Sequence, residues 1–248
     1  MNILVCISHV PDTTSKIDFS EDCTSFKSEG IQYIINPYDE FGLTKAIKLR
    51  EEHGGKVSVI NFGLASSEPT LRKALAIGAD EAIRIDGNPE DSFLVANEIA
   101  KVIEANQFDL IITGRESIDY NGGAVPAMIS EILDLPFVNA CTGLEISGSD
   151  AKMEREIEGG KEFVNGRLPI IIAGQKGLVE EADLIIPNMR GIMTARTKPL
   201  SVVSEISSAK KCTSVSFEKP QPKQACKMID AGQEKELVTL LHQEAKVL

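Results

Sequence analysis

The sequence predicts an α/β fold: a doubly wound, mostly parallel sheet with a β-hairpin excursion and an extended C-terminal arm. Three observations predict it. Over the first two thirds, short runs rich in Val, Ile and Leu alternate with stretches of helical apolar spacing, the pattern of repeated βαβ units. The runs are continuously apolar rather than alternating, as in strands covered on both faces. Beyond Pro136 strand follows strand, and 210–227 carries many Lys, Pro and Gln residues but few large apolar ones.

The elements follow in order. Ile3–Ile7 is a continuous apolar run and reads as a buried strand. Lys16–Phe19 and Gln32–Ile35 flank a polar segment, 20–30, and are expected to form the hairpin excursion. After Asn36-Pro37, the positions Phe41, Leu43, Ala46, Ile47 and Leu49 predict a helix, with Asp39 and Glu40 at its positive end. Val57–Phe62 is a second buried strand. Ser66 or Ser67 is placed to cap the next helix, which Gly78 stops. Ala82–Ile85 is a short strand, 91–105 an amphipathic helix, and Leu110–Ile112 a strand ending at Thr113-Gly114. A helix over 124–133 is broken by Asp134-Leu135-Pro136. Strands are predicted at 137–146, 152–157, 161–164 and 168–173, with Glu158-Gly159-Gly160 as a hairpin turn. Residues 174–199 read as mostly irregular, too long for an ordinary connection and so expected to be functional or partner-bound. A short helix over 230–245 closes the chain. The predicted division is an α/β domain over 1–207 and an arm over 208–248 that is expected to pack on another chain.

The 248 residues carry 26 Lys+Arg against 37 Asp+Glu, a formal net charge of −11. That balance opposes non-specific binding to nucleic acid or anionic lipid. No segment approaches the roughly 20 apolar residues that span a bilayer, so no membrane insertion is expected. Five scattered Cys lack C-x-x-C spacing, and only three His are present. The expectation is a reduced, cytoplasmic protein with no metal centre. No nucleophile has a recognisable base near it in sequence, and no catalytic residue is assigned.

The segment Gly114-Arg115-Glu116-Ser117-Ile118-Asp119-Tyr120-Asn121-Gly122-Gly123 follows a buried strand and precedes a helix through Ala124 and Val125. Loops at the carboxyl ends of parallel strands are where α/β sheets bind ligands. Gly122 and Gly123 would let backbone N–H groups approach a phosphate, with the helix start supporting its charge. A plain βα connection explains the same pattern, and no Gly-Lys-Ser/Thr or Gly-x-Gly-x-x-Gly is present. Asn36-Pro37-Tyr38-Asp39 likewise reads as a proline turn with helix-start carboxylates, or as a polar contact from Asn36 to a base or ribose with Tyr38 as an exposed aromatic edge. Cys6 reads as a small apolar core residue.

Arg155 to Ala173 is the most specific stretch. Arg155, Glu158, Gly159, Gly160, Glu162, Val164, Pro169, Ile171, Ile172 and Ala173 together resemble the signature of the electron transfer flavoprotein β subunit, with Met153 a departure from its usual small or branched residue. The segments 36–40, 78–80, 114–119 and 189–196 also resemble family segments in the right order. The resemblance implies a heterodimeric electron carrier, whose α subunit holds most of a redox-active FAD. It implies a structural AMP on the β chain, or a second FAD in electron-bifurcating members. The adenine nucleotide would lie against Cys6, Asn36–Asp39, Phe62 and the 114–125 loop, and Tyr38 matches an aromatic position near the flavin in α. The stretch 174–199 matches the loop that docks onto acyl-CoA dehydrogenases, with Met189 at an anchoring position and Arg190, Ile192, Arg196 and Lys198 beside it. A membrane quinone-linked oxidoreductase would be the acceptor. The loop after Asp119 follows neither the common AMP pattern nor the acidic bifurcating one. Two other classes share the fold: an ATP-hydrolysing or adenylating enzyme, whose Ser-Gly-Gly-x-Asp loop is missing, and a stress-protein-like nucleotide-binding module, which needs no arm.

Overall fold

The computed structural model describes residues 1–206, 209–223 and 225–248. The apolar runs of the first two thirds become strands β1 (Asn2–Cys6), β4 (Lys56–Phe62), β5 (Glu81–Asp86) and β6 (Leu110–Gly114). Between β1 and β4 lie β2 (His9–Pro11), β3 (Tyr33–Ile35) and helix α1 (Pro37–His53). Helices α2 (Glu68–Ile77) and α3 (Ser92–Glu104) connect β4 to β5 and β5 to β6. After α4 (Val125–Leu133) come β7 (Phe137–Ser147), β8 (Asp150–Ile157), β9 (Gly160–Arg167) and β10 (Ile170–Gly174). The chain continues through α5 (Met189–Ala195), β11 (Leu200–Ser204) and α6 (Glu234–Gln243).

Among the described residues one sheet of 9 strands runs in the order β11-β5-β4-β1-β6-β10-β7-β8-β9, and β2 pairs with β3 apart from it. Six neighbouring pairs, from β11 through to β7, are parallel; β8 and β9 add antiparallel strands. Side chains alternate between two cores. Ile3, Val5, Val57, Val59, Leu110 and Ile112 face Leu43 and Ile47 of α1 and Leu71 and Leu75 of α2. Leu4, Cys6, Ile60, Phe62 and Ile111 face Leu94, Ile99 and Ile103 of α3 and Ile129 of α4. Apolar side chains are thus buried on both faces, the reason these strands show no polar alternation.

Several sequence expectations are corrected. The excursion's hairpin partner of β3 is His9–Pro11, not Lys16–Phe19. Asp12 accepts both the amide and the hydroxyl of Thr14, turning the chain away after three paired residues and leaving Phe19 a single bridge to Phe26. Ser67 does not cap α2: a 3₁₀ turn over Ala65–Ser67 precedes the helix and the hydroxyl donates to the Leu64 carbonyl at 2.9 Å. The C-terminal helix starts at Glu234 rather than 230, because a turn at Asp230–Gln233 holds Gly232 at a φ of 95°. The stretch 174–199 is not irregular throughout. It contains α5, and just beyond it β11 pairs with β5 at the sheet edge.

The expected boundary between 207 and 208 lies outside the described residues. Beyond it the chain stays tied to its own domain for a stretch. The Lys211 amide donates to Asp91 at 2.7 Å, the Phe217 amide to the Cys23 carbonyl at 2.8 Å, and Phe217 stacks on Phe19 with centroids 5.1 Å apart.

Candidate functional site at the carboxyl ends of the strands

Strand β1 leads on to β4 at one side, and β6 lies at its other side. The loops after β1 and β6 therefore part in opposite directions, which opens a crevice at the switch point of the sheet. The sequence-predicted residues gather there. Asn36, at the start of α1, is fully buried; its amide nitrogen donates to Asp39 Oδ1 at 3.0 Å and to the Glu116 carbonyl at 2.9 Å. Its oxygen accepts the Ile118 amide at 3.3 Å. Both ends of this side chain are thus engaged within the chain, so what it holds is the loop after β6.

Asp39 is buried and accepts the Ser8 amide at 2.7 Å, and a backbone bond from Gly114 reaches it too. Burial still outweighs these donors and raises its carboxyl to about 7. Gly114 is a close-approach position. A Cβ there would overlap Asp39 Oδ1 and stand 2.9 Å from the Tyr38 Cβ. Cys6 and Phe62 face the α3/α4 core together with Val125. Burial, then the Asp39 charge, pushes the Cys6 thiol well above its ordinary range, so it stays neutral.

Beyond Gly114 the loop makes a small turn in which Ser117 and Gly122 exchange both backbone bonds, at 3.0 and 3.2 Å. Asn121 sits at the corner with a φ of 50°, and Asp119 accepts the Ser117 hydroxyl and the Tyr120 amide. The Arg115 guanidinium donates to Gln175 Oε1 at 2.9 Å and Glu116 Oε2 at 3.2 Å, and lies 5.8 Å from the Tyr38 ring centroid. Gln175 in turn donates to Glu156. This Arg115–Gln175–Glu156 link ties the β6 loop to β8 and was not foreseen, since nothing in sequence joins positions so far apart. Equally unforeseen is the His9–Tyr33 stack, 4.2 Å between centroids, with His9 Nδ1 2.8 Å from Thr70 Oγ1 and its pKa lowered by burial.

Two observations bear on whether an anionic nucleotide fits. No atom lies within 4 Å of where a Gly122 Cβ would stand, and its φ is not in the left-handed region. Neither packing nor strain within the chain calls for a glycine there, so the space is open to an approaching group. Gly123, whose added Cβ would stand 3.1 Å from the Arg115 carbonyl, is tighter. The following helix α4 has no side-chain cap on its first turn, which leaves N–H donors and the positive end of its dipole available. Glu116 is paired with Arg115, so its charge does not oppose an anion alone. The residues fit a phosphate-bearing ligand.

The profile of the electron transfer flavoprotein domain matches residues 24–208. The chain belongs to the electron transfer flavoprotein β-subunit family. It is 35% identical over 262 residues, covering all of both chains, to the electron transfer flavoprotein subunit beta of Bacillus subtilis. It is 30% identical over 209 residues to the human subunit beta, covering 82% of this chain and 81% of that one. It is also 33% identical over 183 residues to Protein FixA of Azorhizobium caulinodans, covering 69% and 65%. Electron transfer by a flavoprotein is the activity this membership carries. Among the described residues no helix is long and apolar enough to cross a membrane.

The segment expected to meet a partner lies on the α1/α2 side. Met189 is 74% exposed, Met193 68% and Ile192 43%, so these side chains are not core. The expected irregular setting is corrected: Met189 opens α5, which Asn188 caps by accepting the Gly191 amide at 2.8 Å. Ile186, which the sequence reading passed over, is 83% exposed. Its signal was present: an apolar residue before Pro187, where proline disfavours the helical conformation. Arg190 and Arg196 are exposed, whereas Lys198 is not a surface cation. Its ammonium donates inward to the Leu75 and Ala79 carbonyls, at 2.9 and 2.5 Å.

Proposed function

We propose that this chain positions redox cofactors rather than reacting with substrate, as the β half of a heterodimer whose α subunit holds FAD. On this reading a structural AMP lies at the crevice between β1 and β6. Its phosphate faces Gly122, Gly123 and the start of α4 at Ala124 and Val125, and its base lies toward Cys6, Phe62 and the backbone of 36–39. The open space at Gly122 beside an uncapped helix start is the observation that carries this. Arg115, Glu116, Ser117, Ile118, Asp119 and Asn121 hold the loop in shape. When bound in the partner, FAD supplies the one- and two-electron chemistry. Tyr38 and the residues around it supply packing and exclude water from the shared face.

Electrons come from acyl-CoA-type dehydrogenases, which dock on Ile186, Met189, Ile192 and Met193 with Arg190 and Arg196 at the rim, and leave to a membrane quinone-linked oxidoreductase. An exposed apolar cluster with cations beside it suits a transient partner with an acidic rim. The setting is cytoplasmic, with residues 1–207 as the nucleotide-binding domain and 208–248 as the arm that reaches α. Denaturing the purified heterodimer and counting released nucleotides tests the cofactor assignment. One FAD and one AMP per dimer are expected; two FAD and no AMP would replace it with an electron-bifurcating carrier.

A further inference from the structure

The segment that carries the exposed apolar cluster is fastened to the domain at both ends and in its middle. Before it, Asp183 pairs with Lys48 of α1 at 2.7 Å, and the Ile185 amide donates to Thr44 of the same helix at 3.4 Å. After it, the Pro199 carbonyl accepts the Ala82 amide at 3.0 Å as β11 begins beside β5. In the middle, α5 packs on α2 so closely that a Cβ on Gly191 would collide with the Ala76 carbonyl.

The ends of α2 and α5 are capped reciprocally. Arg72, on α2, donates to the carbonyl of Ala195, the last residue of α5, and to that of Lys198 three residues beyond, both at 2.8 Å. Lys198, just past α5, donates to the Leu75 and Ala79 carbonyls at the end of α2. Helix C-termini leave carbonyls without intrahelical partners and carry partial negative charge, so a cation satisfies both needs at once. A helix of 7 residues is too short to hold itself in water. Its shape therefore depends on this clamp.

We propose that Arg72, Gly191 and Lys198 are positioning residues that pre-order the docking segment, so that Ile186, Met189, Ile192 and Met193 meet the partner as a fixed surface. The proposal rests on the docking role given above and adds how the surface is held. Neither cation faces the partner; each acts through the helix it caps. Pre-ordering raises affinity because the partner need not select a minor conformation.

The test uses the co-expressed heterodimer and its Lys198→Met, Lys198→Arg, Arg72→Gln, Ile186→Glu and Met189→Glu variants. Amide hydrogen exchange over 186–198 is compared with exchange in β1, and flavin content is recorded. Steady-state electron transfer from an acyl-CoA dehydrogenase of the same genome to a terminal dye gives KM for the carrier separately from kcat. Lys198→Met and Arg72→Gln should speed exchange in 186–198 but not in β1. They should raise KM on the order of fivefold, as when the competent arrangement is populated about a fifth of the time, with kcat and flavin content kept. Lys198→Arg, which retains a cation, should restore most of the difference. If Ile186→Glu and Met189→Glu raise KM while the clamp variants change neither exchange nor KM, the positioning role is wrong and docking stands. If no variant changes KM, the docking role is wrong and the inference falls with it.

Discussion

Asn36 and Asp39 look in sequence like a turn residue and a helix-start carboxylate, and in the fold they form one bracket around Gly114. That bracket supports two predictions. The folded-state pKa of Asp39, about 7, lies above its ordinary 3.8, so the native state holds this proton more tightly than the unfolded chain. Its contribution is therefore fully present below about pH 3.8 and is lost progressively as pH rises to about 7. Melting temperatures across pH 5–8 should show this decline in the parent and not in Asp39→Asn. The variant should also be less stable near pH 5 by about 1–3 kcal/mol, since an amide nitrogen cannot accept the Ser8 or Gly114 N–H. A variant whose deficit stays constant with pH would show that Asp39 does not titrate in this window. The second prediction contrasts two glycines. Gly114→Ala should cost about 1–3 kcal/mol in a denaturant titration, because the added methyl overlaps Asp39. Gly122→Ala should stay within about 0.5 kcal/mol yet weaken nucleotide retention, because its methyl enters open space. At this scale the sequence, through helix-start and loop patterns and through family resemblance, pointed to residues that the fold brings together around Gly114. It did not reveal that Asn36 is consumed by internal bonds, which depend on a loop 80 residues away.

Among the elements, β1, β4, β5 and β6 were legible as short apolar runs, and α1 to α4 because their apolar positions recur at helical spacing. Three features were not. The hairpin partner of β3 is only 3 residues long, below any useful period. α5 has 7 residues and carries apolar side chains on its exposed side, the reverse of the usual helical signal. β11 has exposed side chains along most of its length, and only its backbone pairing with β5 makes it a strand. For α5 the consequence is testable by stability alone. Met189→Glu places a charge where the side chain is already in water, so its melting temperature should match the parent's, within about 0.5 kcal/mol. The same charge at neighbouring Ala195, which is buried, should cost several times more. Equal losses from Met189→Glu and Ala195→Glu would return Met189 to the core.

For the molecule as a whole, the sheet ends on β9, whose residues are mostly exposed and which presents Phe163 at 76% exposure. α6 leaves Leu237 and Val238 in water as well. Such surfaces, with an unpaired strand edge, fit a chain made to be covered by another. The chain expressed alone should therefore self-associate or precipitate. Co-expressed with its α subunit it should elute as a single heterodimer, with an interface above about 2,000 Å² in total. A monodisperse monomer indifferent to α would contradict this.

The clamp and strand β11 also order events in time. Lys198 meets Ala79 across 119 residues of chain, and Ser201 meets Ala82 across the same span. Contacts of such long sequence separation close late, because the loop they complete must first be gathered in. During synthesis, every strand from β1 to β10 is translated before Lys198 and β11, the parts that must return to α2 and β5. The exposed apolar surface of α5 is then among the last parts of the domain to be fastened, and a chain that ends before residue 198 lacks both the Lys198 contacts to α2 and the β11 edge of the sheet.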